Sequence, residues 1–233
     1  MDLGVSAKLV PLLEEVRCFI EKEILPVEVE FYEDIAVGDR WEWTQRQTDI
    51  REGLKTKAKA QGLWNFFLTE GDSGSGLNTV EYAYLAEEMG KSHLAAEVFN
   101  CAAPDTGNME VLHKYGTEEQ KKQWLEPLLN GDIRSAFSMT EPGVASSDAT
   151  NVCTEAVLDG DEWVINGEKH YVSGAGDPRC KIMIVMVKTE PDAPKHQQQS
   201  QILVPTDTPG FENLRAMNVF SMDDAPHGHM HQK

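Results

Sequence analysis

The stretch DEWVINGEKHYVS, residues 161–173, sets the predicted fold of the second half of this chain. It has two runs of β-prone residues around Asn166-Gly167, a dipeptide that favours the tight turn of a β-hairpin. Further along, KIMIVMVKT from Lys181 and ILVP from Ile202 are apolar and partly β-branched, so both are predicted to be strands. A polar loop, EPDAPKHQQQSQ, is predicted between them.

The chain before this β-rich part follows a helical pattern. Apolar residues from Leu9 to Ile24 recur at helical spacing, and Pro26 is predicted to end that helix. Capping boxes are predicted at the starts of two later helices, at Asn78 with Glu81 and at Thr117 with Gln120. The predicted fold class is therefore α+β, with an all-helical N-terminal domain over residues 1–133 and an antiparallel β-barrel or sandwich domain over residues 134–233.

Composition excludes several classes of function. The net charge of −18 repels nucleic acids and anionic lipid surfaces, so neither is an expected partner. The 4 cysteines lie too far apart for a disulfide or zinc framework, and no metal site is predicted. No apolar run approaches the roughly 20 residues of a membrane span. No targeting segment is visible near the N-terminus.

A second stretch, AFSMTEPGVASSDATNV at residues 136–152, crowds small hydroxyl side chains around a Pro-Gly bend. Three interpretations are open: an ordinary surface turn, a helix start, or a cradle for a polar ligand. The third gains support because the stretch lies where the two predicted domains join, a common place for a cofactor cleft. Tyr171 and Ser173, two residues apart on a predicted strand, point to one face. An aromatic ring beside a hydroxyl suits a flat heteroaromatic ligand with polar edges.

These residues resemble a known family. SMTEPGVASSD, followed about twenty residues later by VINGEKHYVSGAG, is similar to the two flavin-binding segments of acyl-CoA dehydrogenases. The nearer resemblance is to the branch of family members ten and eleven, whose segment also has the form TEP-x-VASSDATN. APDTGNMEVLHKYGTEEQKKQWLEPLLNGDI, residues 103–133, matches that branch as well. The resemblance covers the chain to about residue 220.

The resemblance implies FAD as the cofactor. It implies that the hydroxyl and amide of Thr140 bind the pyrimidine edge of the flavin, with Phe137 and Met139 lining the same wall. Tyr171 matches the aromatic residue that packs on the flavin face, and Ser173 matches the hydroxyl at the N5/O4 edge. Such hydrogen bonds stabilise the negative charge of reduced flavin. The full cofactor-binding set is Phe137, Ser138, Met139, Thr140, Ser146, Ser147, Tyr171, Val172 and Ser173.

Two departures from the family pattern matter. The family usually has GAGSD where this chain has GVASSD, which is one residue longer. Either Ser146 or Ser147 could therefore hold the family serine that touches the flavin pyrophosphate and the acyl-CoA, and Ser147 is the predicted substrate-binding residue. Many relatives also carry Trp where Tyr171 stands, so the stacking surface is narrower here.

The reaction implied by the resemblance is α,β-dehydrogenation of an acyl-CoA thioester to the trans-2-enoyl-CoA, as in fatty acid β-oxidation. Electron-transferring flavoprotein is the implied acceptor, and a homo-oligomer is implied for the full-length family. The family places its catalytic base on a C-terminal helical bundle, which is expected to be absent here, so no catalytic residue is assigned. Glu141 is interpreted as a turn residue rather than a substitute base. The chain alone is expected to be colourless and inactive.

Other readings stay open at this point. The chain could be a non-catalytic truncated isoform that acts only as a flavin, acyl-CoA or interaction module, and an acyl-CoA oxidase is a third variant. The alternating histidines of HGHMH, His227, His229 and His231, could align on a strand as a metal site, but a frayed terminus is the favoured interpretation. The resemblance implies a mitochondrial or peroxisomal location, or a cytoplasmic one if the source is bacterial.

Overall fold

The computed structural model describes residues 4–33, 43–69, 75–146, 148–217 and 229–232, with only the backbone for residues 229–231. The chain divides into two compact units, Met1–Glu110 and Val111–Lys233. The predicted sequence domains, 1–133 and 134–233, stay a prediction. Helices come first and strands follow, as the sequence predicts. No helix in the described ranges is long and apolar enough to cross a membrane.

The described part of the first unit contains helices and no strand. Apolar side chains along its helices are fully buried, among them Leu9, Ile24, Leu85 and Phe99. This burial accounts for most helix stability, because helices of this length are marginal alone in water. The helices are α1 (Leu9–Phe19), α2 (Leu25–Glu33), α3 (Gln45–Ala60), α4 (Thr79–Met89), α5 (Ala95–Val98) and α6 (Asp105–Tyr115), the last of which continues into the second unit.

The prediction that Pro26 ends the first helix is wrong. A π-helical turn, Ile20–Ile24, joins α1 directly to α2, so Pro26 lies in the first turn of a continuing helix. A proline lacks the N–H that an α-helical ladder requires, and a π-turn before it changes the hydrogen-bond spacing to accommodate this. The same arrangement recurs in the second unit, where the π-turn Lys121–Leu125 precedes Pro127.

Both predicted capping boxes are confirmed. The side chain of Asn78 accepts from the backbone N–H of Glu81, and Glu81 accepts from Asn78 in return. Thr117 and Gln120 form the same reciprocal pair. Each box satisfies two backbone donors that would otherwise have no partner at a helix start. A local sequence signal is sufficient here because both partners are three residues apart.

The second unit begins with short helical segments and continues as strands. After α7 (Glu118–Gln120) and α8 (Glu126–Asn130), Gly131 ends the helical part in the left-handed conformation with φ +70°. Short 3-10 turns occur at Ala149–Asn151 and Lys195–Gln197. The strands are β1 (Arg134–Ser138), β2 (Glu155–Asp159), β3 (Glu162–Asn166), β4 (Lys169–Ser173), β5 (Cys180–Lys188), β6 (Gln199–Pro205), β7 (Asn213–Met217) and β8 (His229–Gln232).

The first sheet contains β1, β2, β3, β5 and β6 around β5 as its central strand. β6 pairs antiparallel with β5 along one side, while β1 pairs parallel along the other. The sheet is therefore mixed rather than purely antiparallel as predicted. β5 is buried over most of its length, as its near-continuous apolar sequence predicts for a strand covered on both faces.

The predicted hairpin around Asn166-Gly167 is wrong. β3 pairs antiparallel with β2 instead, and the tight turn lies at Gly160, which has φ +63°. β4, which follows Gly167, pairs with β8 in the second sheet. A Cβ at Gly167 would lie 2.5 Å from Cγ2 and 2.6 Å from Cβ of Thr154. Gly167 therefore allows the side chain of Thr154 to pack directly against its backbone, and such close approach is the other common use of glycine besides a turn.

The second sheet is antiparallel, in the order β4, β8, β7. The prediction of a frayed terminus at HGHMH is wrong for residues 229–232, which form the middle strand of this sheet. His227 lies outside the described residues. Backbone pairing on both sides keeps a short terminal segment ordered even where its sequence is polar.

Candidate functional site

The first segment of the candidate site is the end of β1 and the bend that follows it. Phe137 and Met139 are half-buried, whereas Ser138 between them is buried. Alternate residues of a strand face opposite sides, so Phe137 and Met139 share one partly open face. Ser138 lies on the other side, where its Oγ donates to Oε1 of Gln232 at 3.0 Å. The side chain of Ser138 thus makes a buried hydrogen bond within the protein.

The second segment is β4, which contains an irregularity at Tyr171. The pairing of β4 with β8 shifts register between Lys169 and Val172. Tyr171 has φ +54°, a conformation that non-glycine residues seldom adopt. Bulges of this kind redirect a side chain, and here Tyr171 is 47% exposed while Val172 is 1% exposed. Ser173 is half-buried.

The two segments are joined through Thr140 and His170. The backbone N–H of His170 donates to the carbonyl of Thr140 at 2.9 Å. The hydroxyl of Thr140 donates to the carbonyl of His170 at 2.6 Å. A hydroxyl that donates its proton still has lone pairs that accept a hydrogen bond from a ligand N–H. The structure therefore brings the segment of Phe137, Met139 and Thr140 next to the segment of Tyr171.

Glu141, one residue beyond, is buried and held by four hydrogen bonds. Its carboxylate accepts from the backbone N–H groups of Cys153 and Thr154, both at 2.8 Å. It also accepts from the hydroxyl of Thr154 at 2.6 Å and from Nζ of Lys169 at 2.9 Å. Burial by itself raises the pKa of Glu141, but these hydrogen bonds outweigh it and lower the pKa below its ordinary value.

Lys169 completes this buried pair. Its ammonium donates to Glu141, to the carbonyl of Met139 at 3.0 Å and to the carbonyl of Met186 at 2.7 Å. All three N–H groups of the ammonium therefore have an acceptor. Burial lowers the pKa of Lys169, and the hydrogen bond and charge of Glu141 oppose that shift. Glu141 is thus a structural anion held by four hydrogen bonds from protein groups, which agrees with its interpretation as a turn residue.

The remaining predicted residues occupy different places. Ser146 is buried, and its hydroxyl oxygen accepts from the backbone N–H of Glu141, so it stabilises the bend. Ser147 lies outside the described residues, and its predicted contact with substrate stays a prediction. Val172 is buried, so its side chain belongs to the core, while its backbone links Tyr171 to Ser173.

Two cavities lie within the second unit. One of about 770 Å³ is lined mainly by apolar side chains of β3, β5 and β6, including Trp163, Met183 and Val204. Ser138 and Gln232 provide polar atoms at its wall. A smaller cavity of about 210 Å³ lies between the Glu141–Val144 bend and Gly167. The partly open face of Phe137, Met139 and Thr140 belongs to neither cavity.

Sequence analysis missed Lys169, His170 and Thr154 as parts of the site. A lysine inside a β-prone run is a signal, because a charged group on a strand that becomes buried needs a partner. The identity of the partner could not be read from the sequence, since Glu141 lies 28 residues away. In the described ranges no group of three or more His, Cys, Asp or Glu could hold a metal ion.

Comparisons with known proteins agree with this arrangement of helices, bend and strands. Residues 9–132 match the model of the acyl-CoA dehydrogenase N-terminal domain, and residues 136–233 match that of the middle domain. Acyl-CoA dehydrogenase family member 10 of Mus musculus is 51% identical over 231 residues, which is 97% of this chain and 21% of that protein. FadE2 of Mycobacterium tuberculosis, named a probable acyl-CoA dehydrogenase, is 53% identical over 98% of this chain and 55% of its own length.

A solved structure from Mycobacterium abscessus, assigned to the acyl-CoA dehydrogenases, superposes with a TM-score of 0.91 at 49% identity. It covers 99% of this chain and 58% of that chain. The chain thus spans little more than half the length of its bacterial relatives and about a fifth of the mouse one. With both family models matched across nearly all of its residues, this chain belongs to the acyl-CoA dehydrogenase family.

Proposed function

We propose that this chain provides the wall that binds the isoalloxazine ring in an FAD-dependent acyl-CoA dehydrogenase. The observation that supports this most directly is the reciprocal pair of hydrogen bonds between Thr140 and His170. This pair brings a strand end with a half-buried apolar face next to an exposed aromatic ring. In the sequence these groups lie about thirty residues apart, and each alone has an ordinary structural explanation.

The residues present fit a flavin. Phe137, Met139 and Tyr171 offer apolar and aromatic surface that is not fully used by the core. Thr140 and Ser173 offer hydroxyl groups for the polar edge of a ring. The left-handed backbone at Tyr171 is costly by about 1–3 kcal/mol in general, and conformations of this kind cluster at binding sites. A flat ligand with apolar faces and polar edges matches this combination.

A bound flavin supplies hydride acceptance from the β-carbon of an acyl-CoA thioester. In the proposal, Thr140 orients the pyrimidine edge, Tyr171 packs on the ring face, and Ser173 donates a hydrogen bond at the N5/O4 edge. Ser138 and Val172 contribute backbone atoms, while Ser146 or Ser147 lies near the pyrophosphate and the acyl-CoA. Removal of the α-proton needs a base that these residues do not include, since the carboxylate of Glu141 is already held by four hydrogen bonds from protein groups.

The proposed product is the trans-2-enoyl-CoA of fatty acid β-oxidation, with electron-transferring flavoprotein as acceptor and a homo-oligomer as the working assembly. A second candidate function is a flavin- or acyl-CoA-binding module without turnover. The four hydrogen bonds that hold the Glu141 carboxylate favour this second candidate, because Glu141 is the carboxylate nearest in sequence to the proposed flavin wall. The two candidates share the flavin site and differ only in catalysis.

Titration of the purified chain with FAD tests the shared site. We expect the chain to be colourless as purified and to bind added FAD saturably, with quenching of flavin fluorescence by Tyr171. Tyr171→Ala should weaken this binding, whereas Tyr115→Ala should not, because Tyr115 is an 81% exposed tyrosine outside the site. Equal binding by both variants, or no saturable binding by the unaltered chain, would contradict the proposal.

A dye-reduction assay with acyl-CoA substrates of several chain lengths tests whether this chain has turnover by itself. We expect no dye reduction by this chain on its own, even with added FAD, because unaided α-proton removal is slow at neutral pH. Dye reduction would establish the enzyme over the binding module, and would require a base other than Glu141.

A further inference from the structure

We propose that Lys169 and Glu141 are a positioning pair that holds the Thr140 and Tyr171 segments in the arrangement that binds flavin. The inference rests on the proposed flavin site and names two residues that act on that site through their neighbours. The two side chains are 4–5% exposed, and their charged groups are held by protein groups. Their effect on the flavin would therefore pass through their neighbours.

The first reason is the position of Lys169 in the chain. It lies two residues before Tyr171, at the start of the irregular part of β4. Its ammonium bonds the carbonyl of Met139, one residue before Thr140, and the carbonyl of Met186 in the central strand β5. One side chain thus connects β4, the residue that follows β1 and the central strand of the sheet.

The second reason is that the pairing of β4 with β8 shifts register at this part of the strand. Lys169 pairs with Gln232 and Val172 pairs with Met230, but the ladder to β8 is interrupted between them. Tyr171 occupies this interruption with a left-handed φ of +54°. A backbone conformation of this type persists only when its surroundings impose it. The bonds of Lys169 and of His170 to the 139–140 segment lie at that interruption.

The third reason is the set of groups that the Glu141 carboxylate holds together. Its carboxylate joins Lys169 to the backbone of Cys153 and Thr154, the segment that leads into β2. Glu141 itself directly follows Thr140, so movement of either member of the pair would move the residue proposed to contact the flavin. A buried ion pair is weak support for stability as such, because desolvation offsets much of its attraction. Because the pair connects three segments of the chain, a positioning role suits it better than a purely stabilising one.

The test uses the full chain and the double variant Glu141→Gln/Lys169→Met. This variant removes both charges together while nearly preserving volume, so it leaves no unpaired buried ion. Methionine cannot donate to the carbonyls of Met139 and Met186. Glu141→Gln alone is the second variant, because Lys169 keeps both carbonyl bonds in it. Asp177→Asn is the matched control, since it weakens a second ion pair of this unit, between the buried Asp177 and Arg179.

Two measurements decide the outcome. Amide hydrogen exchange at His170 reports directly on its bond to Thr140, and the FAD dissociation constant reports on the site. We expect the double variant to exchange His170 about tenfold faster and to bind FAD about tenfold more weakly, each equivalent to about 1.4 kcal/mol. Glu141→Gln should give a smaller change in the same direction. Asp177→Asn should lower the urea midpoint without altering either quantity.

A merely structural pair would lower the urea midpoint of the double variant, as in the control, and leave both His170 exchange and FAD affinity unchanged. That result would overturn the positioning role while the flavin site stood. Absence of FAD binding by the unaltered chain would instead refute the proposed function, and the exchange measurement, which needs no flavin, would still decide whether the pair holds the two segments together.

Discussion

Replacing Gly167 by alanine is expected to destabilise the second unit, although Gly167 belongs to Asn166-Gly167, a dipeptide typical of an exposed turn. The added methyl carbon would lie 2.5 Å from Cγ2 and 2.6 Å from Cβ of Thr154. Real Cβ atoms do not approach other carbons this closely, so the backbone must shift. Thr154 is 3% exposed and cannot turn aside into solvent.

The magnitude follows from two effects. Extra volume in a packed site costs about 1–3 kcal/mol in general. Displacement of Thr154 also strains its hydroxyl bond to Glu141, which is 2.6 Å long, and a lost hydrogen bond costs about 0.5–1.5 kcal/mol. We therefore expect Gly167→Ala to lower the free energy of unfolding by about 2–4 kcal/mol.

Urea unfolding of the full chain, followed by circular dichroism, measures this change. Gly143→Ala is the matched control, because Gly143 lines the same small cavity but has open space where its Cβ would be. The control should stay within about 0.5 kcal/mol of the unaltered chain. Thr154→Gly should cost less in the Gly167→Ala background than alone, because it removes the clashing atoms. Equal stability of Gly167→Ala and Gly143→Ala would refute the close-approach explanation.

Three further predictions concern acid stability, thiol reactivity and a helix cap. The folded-state pKa of Glu141 is lowered, so its contribution to stability is present above its ordinary value of 4.5 and is lost as pH falls through the folded value. The stability difference between the unaltered chain and Glu141→Gln should therefore shrink as the pH falls below 4.5 in urea titrations, and a constant difference would contradict this. A thiol-specific reagent should label the exposed Cys18 and Cys153 rapidly and the other thiols only after unfolding, since burial raises the pKa of Cys101 to about 12. Fast labelling of every thiol in the folded chain would be incompatible with this burial. Asn78→Ala should lower the free energy of unfolding by about 0.5–2 kcal/mol, and no loss in a urea titration would mean that the capping box is not formed in solution.

Local signals predicted much of the secondary structure. The capping boxes at Asn78 and Thr117 need only partners three residues apart, and the apolar run of β5 needs only a covered strand. The predictions were wrong where a residue type has more than one structural use. Pro26 is accommodated by a π-turn before it. Gly167 serves a close approach to Thr154 rather than a hairpin turn.

The sequence by itself determined the order of helices and strands and, through its resemblance to a family, the two segments that carry the proposed flavin site. The sequence placed Phe137 and Met139 on one wall only through that resemblance, and their contact with a flavin stays a prediction. It could not show that Ser138 turns to Gln232, 94 residues away. Nor could it show the left-handed backbone of Tyr171.

Only the tertiary structure paired Glu141 with Lys169 and Thr140 with His170. These contacts join segments that are 28 and 30 residues apart, and no period or motif in the sequence encodes their meeting. Burial is the physical reason that they form. A buried carboxylate and a buried ammonium need hydrogen-bond partners, which here are each other and backbone groups. Which backbone groups lie within reach depends on how the strands pair.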